Sequence, residues 1–223
     1  MRAVLFDFDG VLVDSEPLHY RALRECLLPE GIQISEDEYA GSYLAYDDAE
    51  AIRVALERHG HPFDGARVRR IAERKASLFD ELLDHVPFFP GAAELVRELA
   101  REVPLAIASG ALHQEIERIL TAGGLRQAFT AIVAADDVTR GKPHPEPYLT
   151  ALSAVAARAP GLAARECLVV EDSMPGIASG RAAGMKVLAV TNSYPAAKLR
   201  GADHVVDSLA KVSPADLLGL FSS

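Results

Sequence analysis

Short apolar runs without polar alternation recur from residue 103 onward, and no other feature of the sequence restricts its fold as strongly. The runs at 105–108, 131–134, 167–170, 187–190 and 204–206 have the length and composition of strands. Helical stretches flank them at 91–101, 112–122, 146–157, 175–183 and 214–221. A strand that is apolar on both sides needs cover on both faces, and alternating strands and helices supply it in a parallel sheet. The opening run, residues 3–7, belongs to the same sheet. The reading is an α/β fold with a doubly wound, parallel-sheet, Rossmann-like core.

Residues 15–88 read differently. They contain no convincing strand and at least four helical patterns, near 16–28, 36–43, 48–59 and 66–83. Ser35 with Glu38 three residues later forms a capping-box signal for the second pattern. Gly60, His61 and Pro62 end the third, and the proline-rich stretch 86–91 returns the chain to the α/β part. The expected organisation is therefore a core of residues 1–14 and 89–223, with a helical-bundle cap of residues 15–88 inserted after the first strand. Open α/β sheets bind ligands at the carboxyl ends of their strands, so an insert at that point is placed to act as a lid.

Composition excludes several classes of function. The net charge of −9 argues against a nucleic-acid groove, which needs clustered Lys and Arg. Cys26 and Cys167 are far apart and form no CxxC pattern, which fits two buried thiols in a reducing compartment. The apolar start of the chain ends at Asp7, which predicts no signal peptide, and no apolar stretch approaches the ~18 residues of a membrane span. The expectation is a cytoplasmic protein with no membrane or nucleic-acid partner, either a monomer or a weak dimer.

Four strand ends carry the chemistry. The first run stops at Asp7-Phe8-Asp9-Gly10, two carboxylates that are costly to bury unless they bind a cation, share a proton or react. The second ends in Ser109-Gly110 at the start of a helix, a ready anion site. Gly141-Lys142-Pro143 follows the third, and Glu171-Asp172-Ser173 ends the fourth. A parallel sheet brings all four to one edge. Asp7 and Asp172 suit a hard cation such as Mg²⁺, while Ser109 and Lys142 suit the oxygens of a phosphoryl group. A remaining carboxylate can attack phosphorus and another can move protons.

These motifs, with Gly176, Gly180 and Gly184, resemble in order and spacing the four motifs of the haloacid dehalogenase (HAD) superfamily, and the similarity covers nearly the whole chain. The helical insert resembles the cap of the subgroup that contains phosphoglycolate phosphatase and β-phosphoglucomutase. The resemblance implies that Asp7 is the nucleophile that forms an aspartyl phosphate, and also a Mg²⁺ ligand. It implies that Asp9 is the general acid/base, with its backbone carbonyl on the metal. Asp172 then binds Mg²⁺ directly and Glu171 holds a metal-bound water. Ser109 and Lys142 bind the transferred phosphoryl group with the backbone amides of Phe8 and Gly110, and Lys142 also neutralises Asp7. His19 matches the position where cap-containing relatives, β-phosphoglucomutase among them, place a histidine near the acid/base residue at the hinge. Lys75 matches a cap lysine that reaches substrate in the mutase, although an Arg-Lys pair such as Arg74-Lys75 on an amphipathic helix is usually a solvated face. Dehalogenases lack an acid at the position of Asp9, so its presence favours phosphoryl transfer.

The implied activity is that of a Mg²⁺-dependent phosphatase acting on a small phosphorylated metabolite. A β-phosphoglucomutase-like phosphomutase is the alternative. That alternative uses a cap arginine in the stretch matching residues 41–48, where this chain has Tyr43, Tyr46, Asp47 and Asp48 but no arginine. Tyr43, Tyr46 and Lys75 are the candidate specificity contacts. An inactive binding scaffold would show a broken nucleophile or metal site, and none of the motif residues is missing.

Overall fold

The computed structural model describes residues 1–43 and 46–221. Leu44 and Ala45, within the stretch weighed for a cap arginine, lie outside the described residues. The chain divides into two compact units, Met1–Asp14 with Pro87–Ser223, and Ser15–Val86.

The described residues of the first unit form six parallel strands: β1 (Ala3–Phe6), β2 (Leu105–Ala108), β3 (Phe129–Val133), β4 (Cys167–Glu171), β5 (Lys186–Val190) and β6 (His204–Val206). Their spatial order is β3-β2-β1-β4-β5-β6, so the strand order reverses at β1. That reversal point is where doubly wound sheets open a crevice for ligands. Every residue of β1, β2 and β4 is buried. Side chains of a strand alternate between faces, so burial of the whole strand means that both faces are covered. One face carries Ala3, Leu5, Ala106, Ala108, Val169 and Val187 into a single apolar cluster with Tyr148, Ala151 and Ile177 from the helices. Strand β6, at the sheet edge, is largely exposed.

Among the described residues of the second unit, four α-helices follow one another: α1 (Glu16–Leu27), α2 (Glu36–Ser42), α3 (Asp48–Arg58) and α4 (Gly65–Leu82). Leu23, Leu27, Ile52, Leu56 and Ile71 meet in its core. Ser35 accepts the Glu38 amide at 3.1 Å, but the Glu38 side chain does not complete the expected capping box. It takes the Tyr43 hydroxyl at 2.6 Å and the His59 ring at 3.0 Å instead. A tertiary partner wins over the local one. Caps on α3 and α4 come from Asp47 and Asp64, each accepting the amide three residues on.

The α/β unit adds α5 (Ala92–Leu99), α6 (His113–Ala122), α7 (Glu146–Ala156), α8 (Met174–Ala182) and α9 (Pro214–Gly219). Helix α7 packs on β1, β2 and β3, and α8 on β4 and β5. The third strand starts two residues before the sequence expectation. It stops at Val133 because the Ala134 amide turns to the Asp137 carboxylate at 2.9 Å. Phe88 bridges Val13 in antiparallel fashion, and the Asp14 amide donates to the Pro87 carbonyl at 2.9 Å. Pro87 and Phe88 thus belong with the α/β unit. Among the described residues, no helix is long and apolar enough to cross a membrane.

Candidate active site

The strand ends converge as a parallel sheet requires. Phe6 of β1 stands level with Ile107 of β2 and Val170 of β4. Asp7 therefore leaves the sheet beside Glu171, with its amide on the Val170 carbonyl at 2.9 Å. One carboxylate oxygen from each of Asp7, Glu171 and Asp172 lies within 4.8 Å of the others. Lys142, joined to Pro143 by a cis peptide, reaches this group from the loop before α7. Its Nζ lies 2.8 Å from Asp7 Oδ1 and 2.6 Å from Glu171 Oε1. Asp9, half-buried, is not a member of this carboxylate cluster.

Glu171 is completely buried and well supplied with donors. Besides Lys142, Oε1 accepts the Tyr148 hydroxyl at 2.8 Å. Oε2 accepts the amides of Asp172 and Ser173 at 3.1 and 3.2 Å and the Ser173 hydroxyl at 3.0 Å. The first turn of α8 therefore closes on this carboxylate, which explains Gly176. A Cβ there would lie 1.7–2.1 Å from the Glu171 carboxylate. Gly180 has a different duty, since a Cβ would press on Val169 and Val187 at 3.1–3.2 Å. Gly10 has φ +75°, and a Cβ would come 2.0 Å from Asp172 Oδ2. This glycine both turns the chain and leaves room for the neighbouring acid.

Sharing one ammonium drives the carboxylates apart electrostatically. Burial, then the negative charge of Glu171, pushes Asp7 well above the usual carboxylate range against the pull of Lys142. Glu171 is also penalised by burial, but Lys142 and its hydrogen-bond donors hold it below its ordinary value. Burial works against the Lys142 ammonium, and the two acids more than offset it. Burial raises Asp172 to about 6, with Glu171 adding to the rise and the Ser193 hydroxyl opposing it. Carboxylates this close, with hard oxygen donors and too little positive charge, are the donor set a divalent cation would relieve.

Ser109 is buried one step beyond β2, where its Oγ accepts the Ala111 amide at 3.0 Å. The Phe8 amide donates to Asp7 Oδ1 at 2.7 Å. It is therefore engaged by the side chain next to it, in addition to any ligand duty expected of it. Two residues missed in the sequence come from a fifth strand end, after β5. Ser193 Oγ donates to Asp172 Oδ2, and Asn192 Nδ2 donates to the Gly10 carbonyl at 2.8 Å. Thr191-Asn192-Ser193 is a polar triplet closing an apolar run, the same signal used for the other four ends.

The helical unit brings His19 and Lys75 together with Asp48. Lys75 is 2% exposed, contrary to the solvated face usual for an Arg-Lys pair. Its Nζ lies 2.5 Å from Asp48 Oδ1 and 2.9 Å from His19 Nδ1. Burial and the adjacent ammonium lower His19 to about 4, and Phe79 stacks on its ring at 4.1 Å. Tyr43, a candidate specificity contact, is buried in the core of this unit with its hydroxyl on Glu38. Tyr46 is half exposed.

Known proteins resemble this chain over most of its length. The haloacid dehalogenase-like hydrolase family matches residues 4–190. The chain is 32% identical over 225 residues to hexitol phosphatase B of Escherichia coli, covering 97% of this chain and 96% of that protein. It is 32% identical over 212 residues to a bifunctional riboflavin kinase/FMN phosphatase of Arabidopsis thaliana, covering 94% of this chain but about half (54%) of that longer protein. The crystal structure of CbbY from Rhodobacter sphaeroides in complex with phosphate superposes with a TM-score of 0.77 at 27% identity, over 97% of this chain and 99% of that one. The chain belongs to the haloacid dehalogenase-like hydrolases.

Proposed function

We propose that this protein is a Mg²⁺-dependent phosphatase that hydrolyses a small phosphorylated metabolite through an aspartyl phosphate on Asp7. The observation that carries the reading is the juxtaposition of Asp7, Lys142, Glu171 and Asp172 at the carboxyl edge of the sheet. Asp7, Asp172 and the backbone carbonyl of Asp9 would hold the cation, with Glu171 orienting one of its waters. When bound, it would supply the positive charge that keeps Asp7 ionised and neutralises phosphoryl oxygens.

The chain's own residues account for the proton and bond changes. An Asp7 carboxylate oxygen attacks phosphorus as the ester P–O bond breaks, and Asp9 gives its proton to the departing oxygen. Asp9, now a base, takes a proton from water as the water oxygen attacks the acyl phosphate, which releases inorganic phosphate and restores Asp7. Lys142, the Ser109 hydroxyl and the amides of Phe8 and Gly110 hold the equatorial oxygens, where charge must be neutralised. Lys75 and His19 receive no phosphate contact in this reading, because Lys75 Nζ and His19 Nδ1 already satisfy each other and Asp48.

The names of the two phosphatase relatives support phosphate esters of polyhydroxy compounds as the first substrates to try. The test is phosphate release with Mg²⁺ across a panel of sugar, polyol and short-acid phosphates and FMN. The expected result is turnover of at least one of them, lost in Asp7→Asn. Absence of release from the whole panel, or an active Asp7→Asn, overturns the proposal. Conversion of β-glucose 1-phosphate to the 6-phosphate without net phosphate release would show the mutase instead.

A further inference from the structure

Tyr148 is a tyrosine at a place where the apolar core asks only for a phenylalanine. It occupies the third position of α7, six residues after Lys142, and its ring is completely buried among Ala106, Ala108, Val133 and Ala151. A buried hydroxyl in such surroundings is a net cost unless it has a partner. Its partner is Glu171 Oε1, 2.8 Å away, the same oxygen that accepts Lys142 at 2.6 Å. The face of the ring also lies against the ammonium, with Nζ 5.2 Å from the centroid. The tyrosine therefore touches both members of the Lys142–Glu171 pair.

Geometry makes this contact a divider of the lysine. Lys142 serves two acids, Asp7 on one side and Glu171 on the other. Glu171 has five donors, and all except Lys142 and Tyr148 bind its other oxygen. Without the hydroxyl, Oε1 would depend on the ammonium alone. Glu171 would then draw Nζ toward itself and away from Asp7 and from any oxyanion beside Asp7. The loop and α8 are tied together below by the Ser179 hydroxyl on the His144 carbonyl at 2.6 Å, so the lysine moves while its backbone stays.

We propose that Tyr148 is a positioning residue for phosphoryl binding: by satisfying part of Glu171 Oε1, it leaves the Lys142 ammonium directed at Asp7 and the transferred group. This rests on the phosphatase reading for the role of Lys142, and on the structure alone for the role of Tyr148.

The experiment measures orthovanadate and Mg²⁺ binding separately by titration calorimetry, in wild type, Tyr148→Phe, Glu171→Gln and the double variant. Tyr148→Phe keeps the ring and the core packing. It is expected to weaken vanadate roughly tenfold, the effect of one hydrogen bond to a charged group, with Mg²⁺ affinity unchanged within about twofold. The Tyr148→Phe effect on vanadate should disappear in the Glu171→Gln background, because the tyrosine acts through that acid. Tyr148→Met, which also lacks the hydroxyl but fills the space differently, should reproduce the split and serves if the phenylalanine variant folds poorly. Unchanged vanadate binding, parallel loss of vanadate and Mg²⁺, or additive effects in the double variant each overturn the inference while leaving the phosphatase reading standing. A wild-type protein that binds no vanadate overturns both.

Discussion

Two lysines, one in each compact unit, the first partly buried and the second fully so, show how similar ingredients lead to different outcomes. Lys142 in the α/β unit bonds two carboxylates with a third close by, so negative charge exceeds positive in a dry place. Lys75 in the helical unit bonds one carboxylate, half open to water, and one imidazole held neutral by burial and by the lysine itself. The first group is unbalanced and invites a cation and an anion to complete it. The second is balanced within itself. Its charge pattern asks for no further ligand, and it joins α1, the start of α3 and α4.

The sharpest way to break this contrast is to replace each lysine with methionine. Lys142→Met should lower kcat/KM at least about 10²-fold, because an essential charge at the phosphoryl group is lost and Asp7 and Glu171 face each other unneutralised. Lys75→Met should keep the fold, with unfolding free energy changed by no more than about 2 kcal/mol in either direction. A buried ammonium is replaced there by an apolar chain of similar volume while Asp48 finds water. A Lys75→Met loss as deep as that of Lys142→Met, measured in the same phosphate-release assay, would place the helical cluster in the chemistry and end the distinction.

A smaller effect comes from removing the acid of the helical pair. Asp48→Asn leaves a buried ammonium with neutral acceptors but no counter-charge, and should lower the unfolding free energy by about 1–2 kcal/mol in urea titrations. That figure is discounted from a fully buried pair because Asp48 is 48% exposed on its side chain. No change would mean that solvent already neutralises Lys75.

The smallest effect concerns pH, where the two units have opposite signs. His19 has a folded pKa of about 4, below its unfolded value, so the unfolded chain binds the extra proton. Its contribution to stability is present above pH ~6.5 and is lost as pH falls toward 4. Asp172 in metal-free protein has a folded pKa of about 6, above its unfolded value, so the folded chain holds the extra proton. Its contribution is present below pH ~4 and is lost as pH rises toward 6. Thermal unfolding of metal-free protein between pH 4 and 6.5 should show a stability slope that becomes more positive in Asp172→Asn and more negative in His19→Gln. Slopes that do not move, or that move the other way, would contradict these assignments.

Much of the site was legible in the sequence because it is written at strand ends. Asp7, Ser109 and Glu171 each terminate or follow a short apolar run, and the parallel topology places such ends together without further information. The same rule applied to Thr191-Asn192-Ser193 would have found the support for Asp172 and for Gly10. Tyr148 carried no local signal, since in the sequence it is one more apolar position on a helix. Its hydroxyl acquires meaning only from Glu171, 23 residues later and on another element. Lys75 misled for the same reason: a basic pair on an amphipathic helix looks solvated until α1 and α3 close over it.

By itself the sequence determined the α/β core, the helical segment after the first strand and the strand ends that carry the acids, lysine and serine. These follow from periodicity and from connections between neighbours along the chain. Tertiary structure decided which oxygen each donor takes. It set Glu38 on Tyr43 rather than on its own helix end, Lys75 on Asp48, and Lys142 between Asp7 and Glu171 with Tyr148 beside it. Buried polar groups must find partners at hydrogen-bond distance, and those distances exist only once segments remote in sequence have been packed together.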